Sequence, residues 1–265
     1  MKRFLLLLTA SVFAFSLSAR QLFIIRHGQA GYREEFHIKA LSELGAKQAD
    51  LLADHLLKKY HFNGTILVSP LFHTLQTACV IGKHMNKPII LEPGIQELNP
   101  GKKDRKALTG AQIQTEFKKQ YPTVVIQPGP AFTDDWRVFN EDAKARMLRT
   151  RKALARILKE QKGDLLMVGH GASVGDLAAI LNESLPPEKQ ANGKTWNCSL
   201  RVYTLDENDK PVAGLYTTEF MPDEIVTSNF RCPKIERPDD PAYMTKAQER
   251  AAKKPKKAKK KAKQE

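Results

Sequence analysis

Residues 22–29 read Leu22-Phe23-Ile24-Ile25-Arg26-His27-Gly28-Gln29, and residues 165–171 read Leu165-Leu166-Met167-Val168-Gly169-His170-Gly171. Both are short apolar runs, rich in branched side chains, that end close to a His-Gly pair. Such runs, bounded by glycine, read as strands buried on both faces, the pattern of a parallel sheet. Ligands of open α/β sheets gather beyond the carboxyl ends of the strands, so both imidazoles are expected to face one crevice. A histidine offers a nitrogen nucleophile, a neighbouring guanidinium binds an oxyanion, and Gly28 lets backbone approach a ligand. The combination suits attack on a phosphate.

Working outward, Ser42 is placed to cap a helix whose apolar residues Ala49, Leu52, Ala53, Leu56, Leu57 and Tyr60 repeat with helical spacing. Thr65 to Val68 reads as the next buried strand, Ser69-Pro70 opens a helix with Leu71, Leu75, Ala78 and Cys79 inward, and Pro88 to Leu91 reads as a third strand. The Pro- and Gly-punctuated stretch Glu92 to Thr109, with its charged run Lys102 to Lys106, reads as a loop. Thr109 and Gln112 form a capping-box pattern for a helix ending before Tyr121-Pro122. A long amphipathic helix follows over about residues 141–162, with Met147, Thr150, Leu154 and Ile157 on one stripe. Ser173 is expected to cap a helix carrying Val174, Leu177, Ala178 and Leu181, and strands at Ser199 to Leu205 and Ala213 to Thr217 complete the sheet. The alternation predicts an α/β three-layer domain with a mostly parallel central sheet flanked by helices.

Neither end of the 265-residue chain reads as core. Met1-Lys2-Arg3, the apolar stretch Phe4 to Leu17 and small residues around Ala19 have the form of a secretory signal; an uncleaved anchor is the alternative. The expected organisation is a signal peptide at 1–19, one domain at 20–221, a Pro-rich linker at 222–245 and a disordered Lys/Ala-rich tail at 246–265. Cleavage leaves no transmembrane segment, and the expected location is secreted or periplasmic. The formal net charge is +14, and residues 246–265 carry nine Lys and one Arg against two Glu. The basic character thus belongs mainly to the tail, which is either solubilising or a binder of polyanions. Three cysteines are too few for a disulfide scaffold. Cys79 reads as core, and Cys198 with Cys232 is a candidate pair. Asn63, Asn182 and Asn197 each head an Asn-X-Ser/Thr triplet that can accept a glycan.

Arg26-His27-Gly28-Gln29, Leu41-Ser42-Glu43-Leu44-Gly45-Ala46-Lys47-Gln48-Ala49, Ser69-Pro70-Leu71-Phe72-His73-Thr74-Leu75-Gln76-Thr77-Ala78, Glu97 and Val168-Gly169-His170-Gly171 occur in an order that resembles the histidine phosphatase superfamily. The likeness is to its phosphoglycerate-mutase-like branch. The resemblance implies that His27 becomes a phosphohistidine, Arg26 clamps the oxyanion, and His170 binds phosphate and stabilises charge in the transition state. It also implies that Glu97 protonates the leaving group; Asp104, Asp134 and Asp135 are alternative acids. The family has an arginine where this chain has His73. Loss of a bidentate partner to a dianion costs on the order of 2–4 kcal/mol of transition-state stabilisation. His73 is nonetheless expected to face the pocket as a phosphate ligand whose charged form a bound phosphate favours, which places the best turnover in acid. Arg33, Arg105 and Arg137 are the other arginines able to serve. No cluster has metal-ligand spacing along the sequence, so neither metal nor cofactor is expected. The leading expectation is a secreted phosphomonoesterase acting on a phosphorylated small molecule or phosphoprotein. The alternatives are a mutase-type phosphotransferase and a catalytically impaired fold that binds a phosphorylated or polyanionic partner.

Overall fold

Leu22, Phe23, Ile24 and Ile25 have no solvent exposure at all, a state that only a central strand covered on both faces permits. The computed structural model describes residues 19–33, 38–97, 105–106, 108–138, 140–228, 244–247 and 250. The signal-like start, Cys232 and the run Lys253 to Lys263 lie outside these residues, as do most of the expected linker and Asp104.

The chain runs through β1 (Arg20–Arg26), the antiparallel pair β2 (Ala30–Arg33) and β3 (Ile38–Leu41), α1 (Glu43–Tyr60), β4 (Thr65–Val68), α2 (Phe72–Met85) and β5 (Ile89–Leu91). It continues through a 3-10 turn (Pro93–Ile95), β6 (Arg105–Lys106), α3 (Gly110–Gln120), β7 (Ile126–Pro128), β8 (Arg137–Val138) and α4 (Ala143–Glu160). Last come β9 (Leu165–Gly169), α5 (Gly171–Asn182), β10 (Leu200–Leu205), β11 (Pro211–Thr217), β12 (Thr227–Ser228) and β13 (Met244–Thr245). The main sheet has the order β11-β10-β1-β9-β4-β5-β7. Pairing is parallel from β1 across to β7, and β10 alone runs against the rest, pairing antiparallel with both β1 and β11.

Alternation along the strands sorts the core into two layers. Phe23, Ile25, Ile66, Val68, Leu166 and Val168 pack with Leu52 and Leu56 of α1, Leu75 of α2 and Phe117 of α3. Leu22, Ile24, Leu67, Leu165 and Met167 pack on the other face with Leu154 and Ile157 of α4 and Leu177 of α5. Each such aliphatic side chain contributes about 1.5–3 kcal/mol of burial.

Local chemistry sets most helix starts. Ser42 accepts from the Gly45 amide, Asp142 from Ala145, and Thr109 with Gln112 forms a full capping box. Two starts differ from expectation. Ser69 does not open α2, which begins at Phe72 after Leu71. His170, not Ser173, is the N-cap of α5; Ser173 lies inside the helix and its hydroxyl accepts from the His170 amide at 3.0 Å. The stretch read as loop between Glu92 and Thr109 contributes β6, which pairs with β8. Pro128 ends an edge strand, where a missing N–H is tolerated. Val226, Thr227 and Ser228 are buried and β12 pairs with β13, so packed structure extends beyond residue 221 into the stretch read as linker.

The loop after β1 is pressed against the start of α1. A Cβ on Gly45 would lie 2.1 Å from the Gln29 carbonyl oxygen, and one on Gly28 would lie 2.5 Å from the Gly45 oxygen. Backbone against backbone cannot yield cheaply. Gly45→Ala is expected to cost roughly 1–3 kcal/mol in urea unfolding; a loss indistinguishable from zero would mean the contact is slack.

Candidate active site

β1 and β9 are parallel and in register, with Arg26 opposite Gly169, so His27 and His170 leave neighbouring strands side by side. The ladder continues one step further, because the His27 amide donates to the Gly169 oxygen at 2.9 Å. His73 arrives from the first turn of α2, the helix that follows the next strand of the sheet. Ring centroids lie 4.3 Å apart for His27 and His73, 5.4 Å for His27 and His170, and 5.0 Å for His73 and His170.

The hydrogen bonds fix which nitrogens face inward. His27 Nδ1 lies 2.6 Å from the Gly28 oxygen. A carbonyl only accepts, so Nδ1 carries the proton and Nε2 keeps its lone pair. His170 Nε2 bonds the Ser69 hydroxyl at 2.8 Å, while its Nδ1 meets His73 Nε2 at 3.2 Å. His170 is wholly buried, whereas His27 and His73 keep 5 % and 9 % exposure, so a ligand approaches from their side. Arg26 is buried beside them, with Nη1 donating to the Thr195 oxygen at 3.0 Å.

Electrostatics favour a neutral His27 imidazole and an anionic ligand. Burial pushes the His27 imidazole well below its ordinary range, and the fields of His73, Arg26 and His170 push the same way. Both α2 and α5 begin at the site, and helix amino termini present partial positive charge to anions.

The backbone that carries His27 is pinned from several sides. Asn197 Nδ2 donates to the His27 oxygen at 3.0 Å, and the Cys198 amide donates to the Arg26 oxygen at 3.0 Å. Cys198 adopts the left-handed region, with φ of 53°, to make that turn. The Gly28 amide donates to Thr77 Oγ1 at 3.1 Å, and Thr77 in turn donates to the His73 oxygen at 2.8 Å. Asn197 is therefore a buried strut and not a glycan acceptor. Both Cys79 and Cys198 are buried free thiols whose pKa burial raises; the candidate partner Cys232 is outside the described residues.

Glu97 is half-buried in the segment after β5, and its charge helps raise the pKa of Arg146, whose strongest partner is Asp176 of α5. That segment is strapped down by Arg149 of α4, which donates to the Gly94 oxygen at 2.6 Å and the Gln96 oxygen at 3.3 Å and pairs with Glu141. Asp134 accepts from the Gly110 amide at 2.9 Å and Asp135 from the Thr133 hydroxyl at 2.6 Å; both are exposed and bond locally at the surface. Arg137 is also exposed, and the side chains of Arg33 and Arg105 fall outside the described residues.

No metal-ligand spacing marks His27, His73 and His170 along the sequence, yet each offers a ring nitrogen within 4.8 Å of the others. Ser69 and Thr77 flank His73 in the stretch quoted above, but no local pattern gives them, Arg149 or Asn197 a part in positioning the site. Arg149→Met is expected to speed amide exchange in the 94–97 segment at least tenfold by hydrogen–deuterium exchange, since two carbonyls lose their donor. Unchanged exchange would mean that α4 packing alone holds the segment.

A sequence profile described as "Histidine phosphatase superfamily (branch 1)" matches residues 22–218. A protein of Yersinia enterocolitica named probable phosphoglycerate mutase is 27% identical over 201 residues, covering 73% of this chain and 89% of the relative. A protein of the same name from Photorhabdus laumondii is 28% identical over 186 residues, covering 68% and 82%. Among solved structures, the ecdysone phosphate phosphatase of Bombix mori in complex with tungstate has the same fold, with a TM-score of 0.52, 16% identity, and coverage of 80% of this chain and 97% of that one. A mycobacterial glucosyl-3-phosphoglycerate phosphatase aligns with a TM-score of 0.49 and 22% identity over 76% of this chain and 98% of that one. With the profile spanning the sheet, both flanking layers and the paired strand ends that carry Arg26, His27 and His170, the chain belongs to the histidine phosphatase superfamily.

Proposed function

We propose that the protein is a phosphomonoesterase that works through a phosphohistidine on His27. The observation that carries this reading is the tautomer: Nδ1 bound to the Gly28 oxygen leaves the Nε2 lone pair in a buried, positively charged pocket. Nε2 attacks phosphorus, the bond to the ester oxygen breaks, and Glu97 protonates the departing alkoxide. Water then attacks the phosphohistidine, with Glu97 taking its proton, and phosphate leaves. Arg26, His170 and the two helix ends stabilise charge on the equatorial oxygens.

The relatives named as probable mutases favour a second reading, in which the acceptor is a second hydroxyl rather than water. The shared step is phosphohistidine formation, so the acceptor decides between them. Dependence of turnover on a bisphosphate primer supports the mutase; primer-independent release of inorganic phosphate supports the esterase. The signal-like residues 1–19 support export, and the Lys-rich run from Lys253 supports contact with a polyanion. Amino-terminal sequencing of the exported protein tests the first of these.

His27→Ala is expected to abolish hydrolysis of an aryl phosphate and the acid-labile, base-stable labelling that marks phosphohistidine. Restoring a guanidinium with His73→Arg is expected to raise kcat/KM on the order of 10²-fold in chelator-treated protein. An unchanged rate would assign the dianion to other groups.

The pH profile has a definite sign. The active form of His27 is neutral, and its depressed pKa keeps it neutral below the ordinary value of 6.5. Values of kcat/KM should therefore show no loss as pH falls through 6.5 and decline only further into acid. An acid limb centred at or above the ordinary imidazole value would refute the buried, neutral nucleophile.

A further inference from the structure

Substituting an imidazole at residue 73 changes what the pocket can bind. A guanidinium repels cations and ligates none, whereas a third imidazole beside His27 and His170 completes a set of nitrogen donors. One ring nitrogen from each lies within 4.8 Å of the others, and all three residues are buried. Tetrahedral coordination with metal–nitrogen bonds of about 2.0–2.1 Å places nitrogens about 3.4 Å apart. His73 Nε2 and His170 Nδ1 are already 3.2 Å apart. Closing the widest pair needs a shift of less than about 1 Å by each ring, within ordinary side-chain adjustment.

Surrounding groups have the form of a metal site's supporting shell. Metal-bound histidines usually give their other ring N–H to a carbonyl or similar acceptor, which sets the tautomer. His27 does so with the Gly28 oxygen at 2.6 Å, and His170 contacts the Ser69 hydroxyl at 2.8 Å through the nitrogen opposite the cluster. The three donors come from the end of β1, the first turn of α2 and the N-cap of α5, so rigid elements hold each one.

We propose that His27, His73 and His170 form a tri-imidazole site for a divalent ion of the zinc class, with its fourth position open toward the phosphate pocket beside Arg26. Imidazole donors suit zinc, cobalt, nickel and copper. Arg26 and the two helix amino termini oppose a bare cation, so the fourth ligand is an anion, which cancels the added charge. The ion and the phosphoryl group compete for one lone pair: His27 Nε2 bonded to metal cannot attack phosphorus. Metal occupancy therefore switches the pocket from phosphohistidine chemistry to anion binding. The inhibitory part rests on the catalytic reading above; the binding part does not.

The test uses the full chain after chelator treatment, titrated with Co2+ and with Zn2+. Wild-type protein is expected to take up one ion at this site, with the intense visible bands of four-coordinate cobalt. X-ray absorption of the zinc form should show three imidazole scatterers. His73→Arg and His73→Asn, checked for native near-UV circular dichroism, should each weaken binding at least 100-fold. Zn2+ should suppress phosphohistidine labelling of the wild type at least tenfold and leave any labelling of His73→Arg unchanged. No uptake by the wild type, or the same cobalt spectrum in both variants, overturns the site. The X-ray measurement needs no variant, so a count of fewer than three imidazoles overturns it even where a variant fails to fold. Uptake that depends on His73, in a protein that neither labels nor hydrolyses with or without the ion, upholds the metal site and overturns the catalytic reading instead.

Discussion

The in-register parallel pairing of β1 with β9 is the constraint on which the site depends. Arg26 stands opposite Gly169, and the next bond of the ladder joins the His27 amide to the Gly169 oxygen. A slip of one residue would send one histidine to the opposite face of the sheet. The slip is prevented by burial, because Leu22 to Ile25 and Leu166 to Val168 fill both layers of the core and have no exposure to give up. Apolar packing, not polar contact, thus decides where the two imidazoles meet.

Rigidity is then added by groups with no part in the chemistry. Asn197 and Cys198 hold the oxygens of His27 and Arg26, Thr77 holds the Gly28 amide, and Gly45 permits the loop to lie flat on α1. A backbone tied at three consecutive residues fixes the aim of the His27 ring before any ligand arrives, which is what the proposed attack on phosphorus needs. The same ties make the trio of rings a shape with little freedom, which is what a metal ion also requires.

Much of this was legible in the sequence, for identifiable reasons. Buried strands announce themselves by uninterrupted branched residues, as at Leu22 to Ile25, and helices by period and caps, as at Ser42 and Thr109. The pairs His27 and His170 were visible because strand ends concentrate ligands. Short ladders such as β6 with β8, and the edge strand ending in Pro128, were not visible, since two or three residues carry no period. The struts Ser69, Arg149 and Asn197 depend on contacts between residues 53 to 170 positions apart, which no local pattern encodes. His73 stands out in the sequence because it departs from a family pattern, but its nearness to the nitrogens of His27 and His170 is a property of the fold alone.

One strut reaches further than the domain's sheet. Asn197, whose amide holds the His27 oxygen, is itself held by Thr227: its N–H donates to the Thr227 oxygen at 2.9 Å, and the Thr227 hydroxyl donates to Asn197 Oδ1 at 3.2 Å. Gln48 of α1 clasps the same stretch through the Ile225 oxygen and Thr227 Oγ1. Every strand of the main sheet lies within residues 20–217, whereas the piece that steadies the histidine loop lies beyond them. The main sheet and the steadying of the histidine loop are consequently carried by separate stretches of the chain.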